Sequence, residues 1–345
     1  MAAFVVLGIV TACVAGYQFL KLYLGYRVRS VMNSFVPAYP DTPQNWGLSK
    51  WDVRFETEDN VELAGWVVAP KPLAEPRGVV LLLHGFGGPN DTGGKSRQLP
   101  WANAFAQAGY LVVMFDFRNH GESGPASFTF GRDELLDVRA AQKFIASSWC
   151  LMDFPCVLAG VSFGAATAIR FAATYPHDFR GVIAISGYAD FPLMLREGVR
   201  KQYGLLGRIP GFSGMILKAI AYELAAQNLD ELSPVLVVDR IAPTPLLIMQ
   251  GTGDDIVGEH HAKTLFAHAK DPKSYALIGG GSHGFLLTPV ASNEAARRAK
   301  AAALCFLDRV VNNHPPSQTG DYAIMEKLLT QAGVERILAL KVSDC

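Results

Sequence analysis

Residues 156–172 read CVLAGVSFGAATAIRFA. A run of small and branched apolar residues ends at Gly160, a helical pattern begins at about Ala165, and one hydroxyl, Ser162, stands between Gly160 and Gly164. A run of this kind is what a strand buried on both faces of a parallel sheet looks like, and the alanine-rich pattern after it is helical. Val161-Ser162-Phe163 must therefore turn sharply between strand and helix, with almost no room for side chains on either flank. One explanation is a small-residue packing turn; the other is a backbone bent to present the serine.

The same rhythm extends outward. GVVLLLH (78–84), YLVVMFD (110–116), PCVLAG (155–160), GVIAIS (181–186), TPLLIMQG (244–251) and KSYALIG (273–279) are short, continuous and rich in Val, Ile and Leu. Helical patterns separate them at about 97–108, 132–147, 163–175, 259–269 and 292–311. Upstream, WDVRFET and VELAGWVVA flank the turn-like EDN and predict an antiparallel pair. The predicted fold class is α/β: a doubly wound, mostly parallel sheet that opens with an antiparallel hairpin.

Composition sets the limits. The chain has 345 residues, half of them hydrophobic, with Lys+Arg and Asp+Glu equal at 31 each, so it folds around a large core and has no basic surplus for nucleic acid. The five cysteines, Cys13, Cys150, Cys156, Cys305 and Cys345, have no metal-ligand spacing. They read as free thiols, with a Cys150–Cys156 pair as the alternative in an oxidising compartment.

Three segments stand apart from the alternation. MAAFVVLGIVTACVAGYQFL carries no charge over its twenty residues, about the span a bilayer core of roughly 30 Å demands of a helix. It is read as a transmembrane anchor over 1–27, followed by a connector over 28–47. Lys21, Arg27 and Arg29 follow the apolar run, which places the domain behind it on the cytoplasmic side. A signal peptide, or a lipoprotein box at Val10-Thr11-Ala12-Cys13, would need a basic start that the sequence lacks. The sequon Asn90-Asp91-Thr92 matters only for a luminal domain. A second departure is the long interval between the strands at 181–186 and 244–251, which exceeds what one crossover helix requires. Its two helical patterns, MLREGVRKQYGLL and GFSGMILKAIAYELAAQ, predict an insertion over the sheet at about 188–243. Finally, 313–345 is a C-terminal extension ending in an amphipathic helix, with an unknown protein partner. The main domain is thus expected over 48–312.

The serine now acquires chemistry. G-x-S-x-G between a buried strand and a helix is the nucleophile elbow, in which strain raises the hydroxyl above the carboxyl edge of the sheet. A serine hydroxyl needs a base, and the base an orienting carboxylate. His283 lies in the glycine-rich loop IGGGSHGFLL after the last strand, and Asp254 in QGTGDDIVG after the preceding one, with Asp255 as the rival acid. Both positions are at strand carboxyl ends, where open α/β sheets gather their sites. The other histidines are weaker candidates: His260 and His261 open a helix, and His120, His177, His268 and His314 sit in polar or loop contexts typical of surfaces. The main-chain N–H groups of Phe163 and of Phe86, in LLLHGFGGPND, are placed to receive an oxyanion. His84 is read as a structural histidine that holds the Phe86 loop.

The set HGFGG, DFRNHGES, GVSFG, GTGDD and GSH resembles the α/β-hydrolase superfamily, within its small-cap esterase, lipase and aminopeptidase-like groups, over roughly residues 50 to 312. The resemblance implies an α/β-hydrolase fold, a helical cap in the insertion, and hydrolysis of carboxylic esters or thioesters. Acyl or lipid-like substrates, a Ser162–His283–Asp254 triad and an acyl-enzyme are expected, and no metal or organic cofactor is implied. It also implies that Asp116 to Ser123 is structural, with Asn119 where a small residue is commoner. Superfamily membership does not fix the substrate. Peptidase activity and a non-catalytic binding module tethered to a membrane remain the alternatives. The apolar cap residues Met194, Leu195, Tyr203, Leu205, Leu206, Ile209, Phe212, Met215, Ile216 and Ile220 are consistent with an acyl slot or with packing of the cap.

Overall fold

The computed structural model describes residues 2–70, 76–87, 92–148, 151–225, 228–285 and 294–312, and the side chains of these except 2–10, 12, 13 and 210. The expected amphipathic helix within 313–345, Asn90 and Asp91 of the sequon, His314, Cys150 and Cys345 lie outside them.

The apolar runs form one sheet of eight strands in the order β1-β2-β4-β3-β5-β6-β7-β8. The strands are β1 (Leu48–Glu56), β2 (Glu62–Pro70), β3 (Val79–Leu83), β4 (Leu111–Phe115), β5 (Cys156–Val161), β6 (Gly181–Ile185), β7 (Leu246–Gly251) and β8 (Lys273–Ile278). β1 and β2 pair antiparallel, as the hairpin pattern predicts, and β2 meets β4 antiparallel; from β4 through β3 to β8 every pairing is parallel.

Alternation within each strand distributes the core to both faces. On one face Leu81, Leu83, Phe115, Leu158, Val182 and Ile248 pack with α3 (Glu134–Ser147), α4 (Phe163–Thr174) and α7 (Glu259–His268). On the other, Val80, Leu82, Met114, Ala159, Ile183 and Met249 pack with α2 (Leu99–Gln107) and α8 (Glu294–Asn312). Double-sided burial is why these strands read as continuous hydrophobic runs and not as alternating ones.

The interval between β6 and β7 contains α5 (Phe191–Tyr203) and α6 (Pro210–Glu223). The Asp190 side chain caps α5 by accepting the Leu193 N–H at 2.7 Å. The two readings of its apolar residues divide between positions. Ile220 is buried with Leu217 and Leu224, and Met194, Leu195 and Ile216 pack against that cluster, whereas Leu205 is 80% exposed and Leu206 58%.

The N-terminal expectation requires correction. Among the described residues no helix is long and apolar enough to cross a membrane, so neither the transmembrane anchor nor the cytoplasmic placement derived from it is supported. The apolar segment instead begins α1 (Ala2–Asn33), which continues through Lys21, Arg27 and Arg29 and docks on the rest of the chain. Leu24 and Met32 are buried, and Arg29 forms a two-pronged ion pair with Glu223 of α6 at 2.8 and 2.9 Å. The Met32 carbonyl accepts the Phe128 N–H at 2.8 Å. The end of the helix is thus a packing element of the insertion.

Beyond α1, Asn119 secures the chain. It sits at φ 63°, a left-handed conformation that asparagine tolerates better than most residues, and its side-chain amide donates to the Ser34 carbonyl at 2.9 Å. Asn119 therefore does at this turn what a small residue could not: it binds the connector.

Candidate active site

Ser162 follows β5 and precedes α4 with φ 57° and ψ −119°. The flanking glycines are required by close approach. A Cβ on Gly160 would lie 2.2 Å from the Gly164 oxygen, and one on Gly164 would lie 2.5 Å from the His84 oxygen. These contacts press the first turn of α4 against the end of β3, so the side chain of Ser162 is carried over the carboxyl edge of the sheet. A non-glycine residue at positive φ is held there only by its surroundings; here the Ser162 N–H donates to the Ile185 carbonyl at 2.8 Å.

His283 and Asp254 come together on the neighbouring strands. His283 Nδ1 lies 2.8 Å from Asp254 Oδ2 and 3.0 Å from Oδ1. The Asp254 carboxylate is fully buried and also accepts the N–H groups of Ile256 and Val257 and the side-chain amide of Gln250. Burial alone would raise its pKa, but hydrogen bonding from His283, the charge of that ring and the two backbone donors together hold it below the ordinary carboxylate value. An ionised Asp254 fixes the proton of His283 on Nδ1 and leaves the Nε2 lone pair available. Asp255 points elsewhere: it is exposed, and its carboxylate receives Lys201 Nζ from α5 at 2.6 Å.

The loop carrying His283 is fixed by close backbone contact with the Asp254 turn. The Gly253 N–H donates to the Gly281 carbonyl at 2.9 Å, and a Cβ on Gly251 would lie 2.1 Å from that same oxygen. The glycines of these two loops thus permit one tight approach. Two residues outside every motif complete the loop's support. Ser186 Oγ accepts the Gly284 N–H at 3.1 Å, and buried Trp101 Nε1 donates to the Gly284 carbonyl at 3.0 Å. Ser162 and His283 are not hydrogen-bonded to each other among the described contacts. They are joined through this bridge: Ile185 receives the Ser162 N–H, and Ser186, the next residue, receives the N–H of Gly284, which follows His283. Phe130, Ser162, Ser186 and Phe285 all have positive φ, and backbone strain is therefore concentrated in these loops.

The Phe86 loop lies against the serine. A Cβ on Gly85 would stand 3.3 Å from Ser162 Cβ, so the adjoining main chain of Phe86 runs beside it. His84 holds this loop as a buried neutral imidazole: its Nε2 accepts the Phe117 N–H at 2.9 Å and its Nδ1 meets the Gly85 carbonyl at 2.7 Å. Burial, reinforced by the neighbouring His120, keeps it well below the usual histidine range. His120 is only 1% exposed, in contrast to the surface position expected for it, because it packs beside His84; His261, which opens α7, is equally buried under the insertion.

Sequence patterns gave no sign of the aromatic wall beside the site. The Phe86 ring lies 4.8 Å from Phe128, Phe128 lies 4.9 Å from Phe163, and Phe130 lies 5.2 Å from Phe191 of α5. Its loop is held from beneath by buried Glu134, which accepts the N–H groups of Thr129 and Gly131 and the Thr129 hydroxyl. A separate groove of about 620 Å³ lies between α1 and α6 and is lined by none of Ser162, Asp254 or His283.

Comparison with known proteins agrees with this architecture. The family model described as serine aminopeptidase, S33 matches residues 74–211. The uncharacterized protein YfhR of Escherichia coli K12 is 25% identical over 270 residues, covering 77% of this chain and 84% of its own. A monoacylglycerol lipase of Mycolicibacterium smegmatis is 25% identical over 218 residues, covering 61% of this chain and 64% of its own. The solved structure of the Pyrococcus furiosus esterase Pf2001 superposes with a TM-score of 0.61 at 22% identity, covering 81% of this chain and 98% of that one. The chain has the α/β-hydrolase fold.

Proposed function

We propose that this α/β hydrolase is a serine hydrolase that cleaves carboxylic ester or thioester bonds of acyl substrates, with Ser162 as nucleophile, His283 as base and Asp254 as the carboxylate that orients it. The observation that carries the reading is the strained Ser162 on the same sheet edge as a histidine whose Nδ1 is held by a buried, ionised carboxylate. His283 Nε2 takes the hydroxyl proton as Ser162 Oγ attacks the acyl carbon. The main-chain N–H groups of Phe86 and Phe163 stabilise the tetrahedral oxyanion. His283 returns the proton to the departing alcohol or thiol, water attacks the acyl-enzyme with His283 again as base, and the free acid leaves. The hydrogen bond between Ser162 Oγ and His283 Nε2 that this step needs forms only with substrate in place, as is common for catalytic contacts that are absent or long without it. Asp254, fixed by three donors besides His283, needs no reorganisation during the cycle.

The aromatic wall from Phe86 to Phe191, and Met194 and Leu195 beside it on α5, favour an apolar acyl group. The esterase and lipase likenesses support the same class. A second reading, hydrolysis of aminoacyl amides, is favoured by the description of the matching family model. Steady-state assays with acyl esters, acyl thioesters and aminoacyl amides, on wild type and Ser162→Ala, separate the two. Turnover of esters above amides, abolished by the substitution, supports the first reading; the reverse preference supports the second.

A further inference from the structure

Glu197 of α5 meets two consecutive histidines of α7. Its Oε1 is 2.9 Å from His260 Nε2 and its Oε2 is 3.2 Å from His261 Nε2. Two imidazoles and a carboxylate are a set that a transition-metal ion could take. The other nitrogen of His261 argues against a metal. His261 Nδ1 accepts the Ala189 N–H at 3.2 Å, which places the ring proton on Nε2, pointing at Glu197. A metal ligand normally has the opposite arrangement, its free nitrogen donating to an acceptor. The trio is therefore a hydrogen-bonded contact.

Its position gives it a task. Ala189 begins the insertion, between β6 and α5, and its carbonyl accepts the N–H of Val235 on the returning chain. His261 thus grips the stem of the insertion with Nδ1 and its first helix with Nε2. One turn further along α5, Lys201 holds the carboxylate and carbonyl of Asp255, the residue next to Asp254. We propose that Glu197 and His261 form a clasp that fixes α5, and with it the Phe191 end of the aromatic wall, over the carboxyl edge of the sheet. They are then positioning residues for the acyl side of the site. The role in substrate binding rests on the hydrolase reading above; the clasp itself does not.

The test compares Glu197→Ala and Glu197→Gln with wild type, in two measurements. The first is KM and kcat on nitrophenyl acetate and nitrophenyl octanoate. Loss of the clasp in Glu197→Ala is expected to raise KM for the octanoate by about tenfold, the equivalent of one or two hydrogen bonds, with kcat on the acetate unchanged. Glu197→Gln keeps an acceptor for His261 and a donor for exposed His260, and is expected to stay within about twofold of wild type on both esters. The second is hydrogen exchange by mass spectrometry, which needs no activity: Glu197→Ala is expected to speed exchange in 191–203 and leave 163–174 as it was. Unchanged exchange in 191–203 overturns the clasp. A uniform fall in kcat on both esters overturns the acyl-positioning role, and so does a KM that responds to added zinc and to chelation, which would reveal a metal site. Wild type inactive on every ester, with α5 still deprotected by the substitution, refutes the ester-hydrolase reading and its acyl-positioning role while the clasp stands.

Discussion

His283 Nδ1 and Asp254 Oδ2 lie 2.8 Å apart although 29 positions separate the two residues. The turn after β7 offers two adjacent carboxylates, and only one reaches the ring. Asp254→Asn is expected to lower kcat by roughly three to four orders of magnitude, because the amide no longer holds the imidazole in the useful tautomer. Asp255→Asn removes only an exposed pair with Lys201 and is expected to change kcat less than about twofold. Equal losses in the two variants would contradict the assignment.

The elbow predicts opposite effects on stability at neighbouring positions. Gly160→Ala and Gly164→Ala drive a methyl group into backbone atoms at 2.2 and 2.5 Å, and each is expected to destabilise by about 3 kcal/mol or more. Ser162→Gly relieves the positive φ and is expected to raise the melting temperature while abolishing turnover. Thermal melts of the purified variants measure both signs.

Ser186 and Trp101 act on His283 through Gly284. Ser186→Ala leaves the buried Gly284 N–H without its acceptor, at a cost of about 1–3 kcal/mol. Trp101→Phe keeps the aromatic packing and removes only the donor to the Gly284 carbonyl. Each is expected to reduce kcat about tenfold or more, by misplacing the imidazole, with KM little changed. Steady-state kinetics decide; a change confined to KM would point to substrate contact and not to positioning.

Acid sensitivity of the fold follows from His84. Its folded-state pKa lies well below the 6.5 of a free imidazole, first because it is buried and second because His120 is near. Below about pH 6.5 the unfolded chain therefore binds more protons than the folded one, so stability is present at higher pH and is lost as pH falls through that window. Buried His120 and His261, also shifted down chiefly by burial, act in the same direction. Melting temperature is expected to fall between pH 7.5 and 5.5, and His84→Gln is expected to flatten that dependence while lowering stability at pH 7.5. An unaltered slope in the variant would remove His84 from the account.

Legibility in the sequence followed the range of the forces involved. The strands were readable because burial on both faces leaves unbroken apolar runs, and the turns at Ser162, Asp254 and His283 were readable because glycine marks each close backbone approach. The support of His283 was not, since Ser186 and Trp101 meet Gly284 from distant parts of the chain and carry no local pattern. The same holds for the Phe86–Phe128–Phe130 wall and for the Glu197–His261 contact between α5 and α7. The first twenty residues misled for a different reason. Their apolar run says nothing of Arg29 and Met32 behind it, whose contacts with α6 and Phe128 show what the rest of that helix is for.

The most direct measurement is labelling of the folded full-length chain with a fluorophosphonate, followed by mapping of the modified peptide by mass spectrometry. The account predicts a single adduct on Ser162, absent from Ser162→Ala and strongly slowed in His283→Ala. A folded wild-type chain that takes up no label, or takes it up on another residue, would contradict the assignment of Ser162 as the nucleophile.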